Sequence, residues 1–385
     1  MKKQFFLIII VSNFLYCCTF SDKKTDTGGV PVELGDIETY RSSEIIADYS
    51  FIKLETSGDI LIGDISQIEI KDDKIYILDT HKARSLFIFS LDGKFLNSIK
   101  GTGNGPGEFM VPFYFQIDDE GYIYIYDMYQ QRLQKYNQDD LSFIEQIDLP
   151  ARSPLSFFKT PGEDEFIYYC VPNAGTDMFD KQLIVADKSG NTKYELWDTP
   201  VTSKLNHGYP GNIYYFNNKV HFYPYFSNQI FTIEEDSLQC KYELYWGKNK
   251  MVDDIVFRTY EGSNNIFQAI MNGEEYWIRM MYVYESQKYL MVKYYIKSDF
   301  YVGVYNKQNG SVIHYRQKDV NDDIGLGGVH PLPVGMCNDR YIGFISPQEM
   351  DESMVKDAKL KNVLHENFDT NDNPVLMLYN LNNIE

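Results

Sequence analysis

The segment Ile75-Tyr76-Ile77-Leu78-Asp79 returns 48 residues later as Ile123-Tyr124-Ile125-Tyr126-Asp127. Each copy follows an acidic turn, Asp72-Asp73-Lys74 in the first and Asp118-Asp119-Glu120-Gly121 in the second. A fixed period of this size means copies of one supersecondary unit, none of which buries its apolar face alone. The same polar turn and aromatic run recur at Glu163-Asp164-Glu165 before residues 166–169, at Asn217-Asn218-Lys219 before 220–223, at Ser286-Gln287-Lys288 before 289–292 and at Asn338-Asp339-Arg340 before 341–344. There are therefore six units. The first five continue with a second run and turn, such as 86–89 before Asp92-Gly93 and 301–305 before Asn309-Gly310, and then a further strand. Asn-Gly is the pair favoured where a hairpin needs positive φ.

Four short antiparallel strands per ~40 to 50 residues describe the blade of a β-propeller. The expected fold is all-β, a six-bladed β-propeller of four-stranded antiparallel blades; two packed β-sandwiches would also accommodate six hairpin units. Composition agrees with strands, since 32 Tyr and 25 Phe against 3 Trp suit pleated, half-buried surfaces. The sixth unit reaches its third strand at 375–379 and the sequence stops at 385, leaving its outer strand to come from elsewhere. An open ring would leave two unpaired sheet edges. The alternating segment 49–54, ahead of the first unit, is expected to fill that place, so that an N-terminal strand completes the last blade.

Lys2 and Lys3 precede an apolar run at 5–11 that is too short to span a bilayer, the pattern of an export signal. Cys17 and Cys18 close it, with Leu15 three residues before Cys18, which resembles a lipobox. Cleavage before Cys18 suits the small Cys17, whereas cleavage before Cys17 would put Tyr16 at the cut. The expected organisation is a lipoprotein signal over 1–17, a polar tether over 18–40 beginning at lipidated Cys18, and the propeller over 41–385. The expected address is the cell envelope, as an outer-membrane lipoprotein facing the periplasm or the exterior, with the lipid as its only membrane contact. The remaining cysteines, Cys170, Cys240 and Cys337, are odd in number and lack Cys-x-x-Cys spacing, so they read as buried thiols and not as a metal site. A formal net charge of -19 repels a phosphate backbone and speaks against nucleic acid.

Gly101-x-Gly103-x-Gly105-Pro106-Gly107-Glu108-Phe109, followed by Pro112, Asp118, Gly121, the 123–127 strand and Arg132-Leu133-Gln134, resembles the NHL repeat across about 40 positions. The whole chain, with its signal and the segment Phe51-Ile52-Lys53-Leu54-Glu55-Thr56, is similar to the six-bladed β-propeller lipoproteins of Bacteroidota, a TolB-like architecture. The resemblance implies fold and address more than chemistry.

No catalytic signature stands out. The glycine run lacks Gly-Lys-Ser/Thr, carries Pro106 where a dinucleotide-binding glycine would fall, and leads into a strand, so it reads as a connector between blades. Asp79 and Asp127 end equivalent strands, and a residue repeated from unit to unit is expected to serve the fold by accepting backbone N–H groups of the following loop. The six histidines form no His-Glu-x-x-His motif. Those distant in sequence can still converge on a central channel, as in the zinc-dependent lyases that share the NHL repeat, and His207 and His330 are the pair to consider.

Propellers bind with the face built by loops from outer strand to next blade and from second to third strand, a fold-level analogy. Here these loops are 79–85, 100–113, 127–132, 170–182, 198–212, 224–229, 247–275, 317–333 and 346–374. The candidate binding residues on them are His81, Arg84, Phe113, Tyr114, Tyr129, Arg132, His207, Tyr209, Tyr225, Arg258 and His330. Arg132 has a rival role, bracing its own blade. Ser346-Pro347-Gln348-Glu349 reads as a capping box opening a helix through Met350, Met354 and Val355 to Val363 and Leu364, a cover or a lid.

The expected function is a non-catalytic recognition module for a glycan, peptide or protein partner, with no cofactor and no catalytic or metal-binding residue assigned. The alternatives are a metal-dependent hydrolase or lyase using the funnel, and a structural subunit of an envelope complex.

Overall fold

The computed structural model describes residues 28–58, 60–101, 103–150, 154–170, 181–198, 212–224, 227–247, 249–251, 277–364 and 369–384. The described chain opens with β1 (Val30–Glu33), one helical turn α1 (Ser42–Ile45) and β2 (Ile46–Lys53). Blade 1 is β3 (Gln67–Lys71), β4 (Lys74–Asp79), β5 (Ser85–Ser90) and β6 (Phe95–Lys100). Blade 2 is β7 (Pro112–Ile117), β8 (Tyr122–Asp127), β9 (Arg132–Asn137) and β10 (Phe143–Ile147). Blade 3 is β11 (Pro154–Lys159), β12 (Glu165–Cys170), β13 (Lys181–Asp187) and β14 (Thr192–Asp198). Blade 4 is β15 (Ile213–Phe216), β16 (Lys219–Phe222), β17 (Gln229–Glu234) and β18 (Ser237–Tyr245). In blade 5 a short β19 (Lys250–Met251) precedes β20 (Trp277–Glu285), β21 (Tyr289–Ile296), β22 (Asp299–Asn306) and β23 (Val312–Arg316). Blade 6 has β24 (Gly335–Cys337) and β25 (Arg340–Ile345), then α2 (Ala358–Leu364) in its long loop, and β26 (Val375–Leu381).

Within each blade consecutive strands pair antiparallel, apart from the short β19, which runs parallel to β20, and this gives the six-bladed propeller. The ring closes where expected: β2 pairs antiparallel with β26, from Ile46 opposite Leu381 to Lys53 opposite Val375, so the outer strand runs 46–53. Three inner hairpins turn on two residues of positive φ, Asp72 and Asp73, Asn217 and Asn218, and Asn338 and Asp339. Asp and Asn tolerate this left-handed region, which matches strand twist in a tight hairpin, and this is why the repeated turns are polar.

Between blades the packing is aromatic and aliphatic. Tyr76, Leu78, Leu86 and Ile88 of blade 1 meet Phe115, Ile117, Ile123 and Ile125 of blade 2, with Phe109 of the connector buried among them. The strongly twisted blades also lock at their rims: Gly93, at φ +83°, lies so close to the Lys53 carbonyl that a Cβ would approach it to 2.0 Å. Gly190 of blade 3 repeats this against blade 2, two interfaces further round: its φ is +77°, and a Cβ there would approach the Leu149 carbonyl oxygen to 2.6 Å.

The region expected as tether, 18–40, meets the propeller early. β1 adds to blade 4 as a parallel fifth strand along β18, Val30 opposite Tyr242 and Glu33 opposite Tyr245. The Leu34 N–H then donates to Tyr245 O, the Glu38 N–H to His314 O and the Ser42 N–H to Asn321 O, carrying the strap across blade 5 into β2. Val32 and Leu34 are buried on the way. The helix expected from Ser346 is different. Ser346 to Glu349 forms an isolated turn, a 3-10 turn follows at Glu352–Met354, and α2 starts only after Asp357, whose carboxylate accepts the Leu360 N–H at 2.7 Å. α2 buries Leu360 and Leu364, and Lys359 bonds the Tyr49 carbonyl, so it covers the outer wall of blade 6.

Candidate functional site

The loops of blades 1 and 2 are pinned from below by the two repeated carboxylates. Asp79 accepts the N–H groups of Gly63 (2.8 Å), Asp64 (3.1 Å) and Lys82 (2.8 Å). Asp127 accepts those of Met110 (2.5 Å), Tyr129 (2.8 Å) and Gln130 (3.0 Å). Both carboxylates are fully buried, and each ties the loop that follows its strand to the connector that precedes its blade. Leaving one buried N–H group without an acceptor costs about 1–3 kcal/mol. Asp127→Ala, which strands three, should lower stability by at least that amount in urea denaturation, and a wild-type midpoint would refute the assignment.

On that base stand the described candidates. His81 and Arg84 are exposed, and Tyr129 is 74% exposed beside Met128. Arg132 turns back to the glycine-rich connector, donating from Nη1 to Asn104 O at 3.0 Å, while Gln130 donates to Gly103 O and Asn104 Oδ1. The bracing role of Arg132 is thus the one its contacts serve. Phe113 and Tyr114 are half-buried at the start of β7, and the Tyr114 ring meets Phe157 edge-on at 5.4 Å. His330 is enclosed: Nδ1 faces Ser42 Oγ at 3.2 Å, Nε2 faces the Tyr315 hydroxyl at 3.4 Å, and burial pushes the imidazole down to about 4. It sits between strap and blade 5, away from the exposed loop residues. Cys18, His207, Tyr209, Tyr225 and Arg258 lie outside the described residues. Among the described residues no group of three or more His, Cys, Asp or Glu side chains is placed to hold a metal ion, and no helix is long and apolar enough to cross a membrane.

The channel has its own chemistry. The innermost strands meet round the axis, where Gln67 grips the backbone N–H and C=O of Phe115, and Gln116 those of Lys159. Counted from the inner hairpins, one level of these strands carries Glu69, Gln116, Phe158, Tyr214, Tyr284 and Gly335. Glu69 is the only ionisable carboxyl among them, and it makes no hydrogen bond or ion pair with a described residue. Burial, with some help from Asp119 and Asp72 against the opposing charge of Lys71, pushes it up to about 7.

Burial and then the Glu69 charge push the Tyr114 hydroxyl above its ordinary value. Tyr114 acts in turn on Tyr223, and Tyr223 on Tyr284. These groups belong to blades 1, 2, 4 and 5. Sequence reasoning named Tyr114 and missed Glu69, Tyr223 and Tyr284. The available signal was the period-2 position two residues before Lys71, a carboxyl on the polar face of an innermost strand that also carries Gln67 and Lys71.

In comparisons with solved structures, the chain is similar to a Bacteroides fragilis protein whose name marks it as expected to be exported, at 20% identity, covering 92% of this chain and 99% of that one with a TM-score of 0.81. It also matches, at a TM-score of only 0.44 and 12% identity, the inactive virginiamycin B lyase of Staphylococcus aureus with quinupristin, covering 86% of this chain and 99% of that one. A search of curated proteins finds no match. A family profile described as 6-bladed beta-propeller matches residues 21–344. With six blades closed into a ring and most of the sequence inside that profile, the chain belongs to the 6-bladed beta-propeller family DUF5128.

Proposed function

We propose that the protein is a lipid-anchored propeller of the cell envelope that binds a glycan, peptide or protein partner on its loop face without catalysing a reaction. The observation that carries this reading is Tyr129, a large aromatic left 74% exposed on a loop whose backbone Asp127 holds rigid. A pre-ordered aromatic contributes contact area at little entropic cost, and its face suits a sugar ring or a peptide side chain. His81 and Arg84 offer hydrogen-bond donors on the neighbouring blade. The envelope address rests on the signal and Cys18, with the expected export of the Bacteroides fragilis protein as support. The connector 101–109 fits an NHL-type repeat unit.

Glycan and peptide arrays probed with purified residues 19–385 test the binding. Tyr129→Ala and Arg84→Ala are each expected to weaken the captured ligand about tenfold or more with thermal stability unchanged. Unaltered binding by both variants would move the site off this face. Mass spectrometry of envelope-extracted protein tests the anchor: an acylated N-terminal Cys18 is expected, and an unmodified N-terminus elsewhere would remove the lipid.

A further inference from the structure

We propose that the central channel holds a site for a small organic ammonium ion, with the Glu69 carboxylate as its counter-charge, the Tyr114 hydroxyl as a second hydrogen-bond acceptor and the surrounding tyrosine rings as its walls. This goes beyond the loop-face reading and stands or falls separately from it.

The starting point is two unspent polar groups. Glu69 and the Tyr114 hydroxyl make no hydrogen bond with a described residue, although both are drawn into the interior. A partly buried carboxyl without a partner is costly, and such groups cluster where something binds. Neighbouring polar groups are committed elsewhere. Lys71 bonds Ile117 O at 3.1 Å and Asp119 at 2.7 Å. Lys159 bonds the carbonyls of Thr160 and Glu163, and Lys293 that of Pro333 at 2.6 Å. Among the described residues no ammonium or guanidinium group is within ion-pair distance of Glu69, and the Lys71 charge acts on it only from further off.

The ligand class follows from what surrounds the carboxyl. A hard metal ion needs several oxygen ligands, and the nearby Asp118 spends its oxygens on the Glu120 and Tyr122 N–H groups and the Tyr124 hydroxyl. Aromatic faces with one carboxylate instead suit an ammonium, through charge pairing and cation–π attraction. The formal charge of -19 raises the local concentration of cations at the channel mouths.

A carboxyl that titrates near neutrality gives the site a signature. A bound ammonium favours the ionised form, so below the free-state value of about 7 binding must expel a proton. Affinity then rises up to about tenfold per pH unit and levels off above that value.

Isothermal titration of residues 19–385 with methylammonium chloride, from about pH 5.5 to 8.5, tests this. The expected result is binding that tightens about tenfold or more over the lower half of that range, then levels off, and survives equimolar potassium chloride. Glu69→Gln is expected to lose that affinity and its pH dependence, and Tyr114→Phe to weaken it severalfold. Carbon NMR of the Glu69 carboxyl in the unsubstituted protein covers the case of a variant that misfolds: methylammonium should lower its titration midpoint. An unmoved midpoint, full affinity in Glu69→Gln, or equal displacement by potassium would each overturn the proposal.

Discussion

Glu285→Ala is expected to lower the free energy of unfolding by about 3–5 kcal/mol, the range for removing one partner of a buried ion pair. The Glu285 side chain is 0% exposed and four groups converge on it. Oε2 receives the Tyr214 hydroxyl at 2.8 Å and Lys241 Nζ at 2.9 Å; Oε1 receives the Tyr242 hydroxyl at 2.9 Å and Lys307 Nζ at 3.1 Å. Burial alone would raise its pKa, yet the bond and charge of Lys241, with Lys307 and Tyr214, hold it below the ordinary carboxylate value. Tyr214 and Lys241 and Tyr242 belong to blade 4, Glu285 and Lys307 to blade 5, so one carboxylate fastens an inter-blade seam. Truncation strands two ammonium groups and two phenols in that seam. Tyr214→Phe, which removes one donor, should cost only about 1 kcal/mol. Urea denaturation compares them, and a Glu285→Ala loss below that of Tyr214→Phe would mean water replaces the carboxylate.

The blades were legible because a hairpin is local. Asp72-Asp73 and Asn338-Asp339 report their own backbone, and the alternation beside them reports the buried face. Closure was legible by counting, since a missing fourth strand must be supplied from somewhere. The strap was not. β1 pairs parallel with β18 across more than 200 residues, and no spacing rule links Val30 to Tyr242. α2 was displaced because a Ser-Pro-x-Glu run describes a tight turn as well as a helix start, and the apolar stripe that secures a helix here begins only at Leu360.

The candidate site divides in the same way. Loop residues could be assigned to a face once the blades were counted, which placed Tyr129 and Arg84. Side-chain direction could not, so Arg132 turned out to be bonded to the connector and His330 enclosed by Ser42 and Tyr315. Glu285 and Glu69 show the deeper limit. They occupy equivalent innermost strands, and only the neighbouring blades decide that one is saturated with donors and the other has none.

Acidification from about pH 7.5 to 5 is expected to remove roughly 4 kcal/mol of stability through two histidines alone. His330 is pushed down to about 4 by burial, and His221 to about 4 by burial and then by Lys241, whose Nζ lies 3.2 Å from its Nε2. Both are therefore neutral in the folded protein, while in the unfolded chain each takes up a proton at its ordinary value near 6.5. Between these values the unfolded state binds more protons, so stability falls as pH falls, by up to about 1.4 kcal/mol per pH unit for each ring, and stops falling from this cause below about 4.

Glu285 adds to the loss only lower down, because a depressed carboxylate gives up its contribution as pH drops through its folded value. The histidine window is thus separable. His330→Gln should flatten the slope between about pH 7.5 and 5 by close to half, whatever it does to stability at neutral pH. Urea midpoints across that range decide the matter, and an unchanged slope would show that His330 already carries its proton in the fold. The cost falls on particular joints: His330 lies where strap meets blade 5, and His221 beside the Glu285 seam. Charging either creates an imidazolium that burial opposes, and at His221 the Lys241 ammonium opposes it as well, so acid should first loosen the blade 4 to 6 half that the strap holds together.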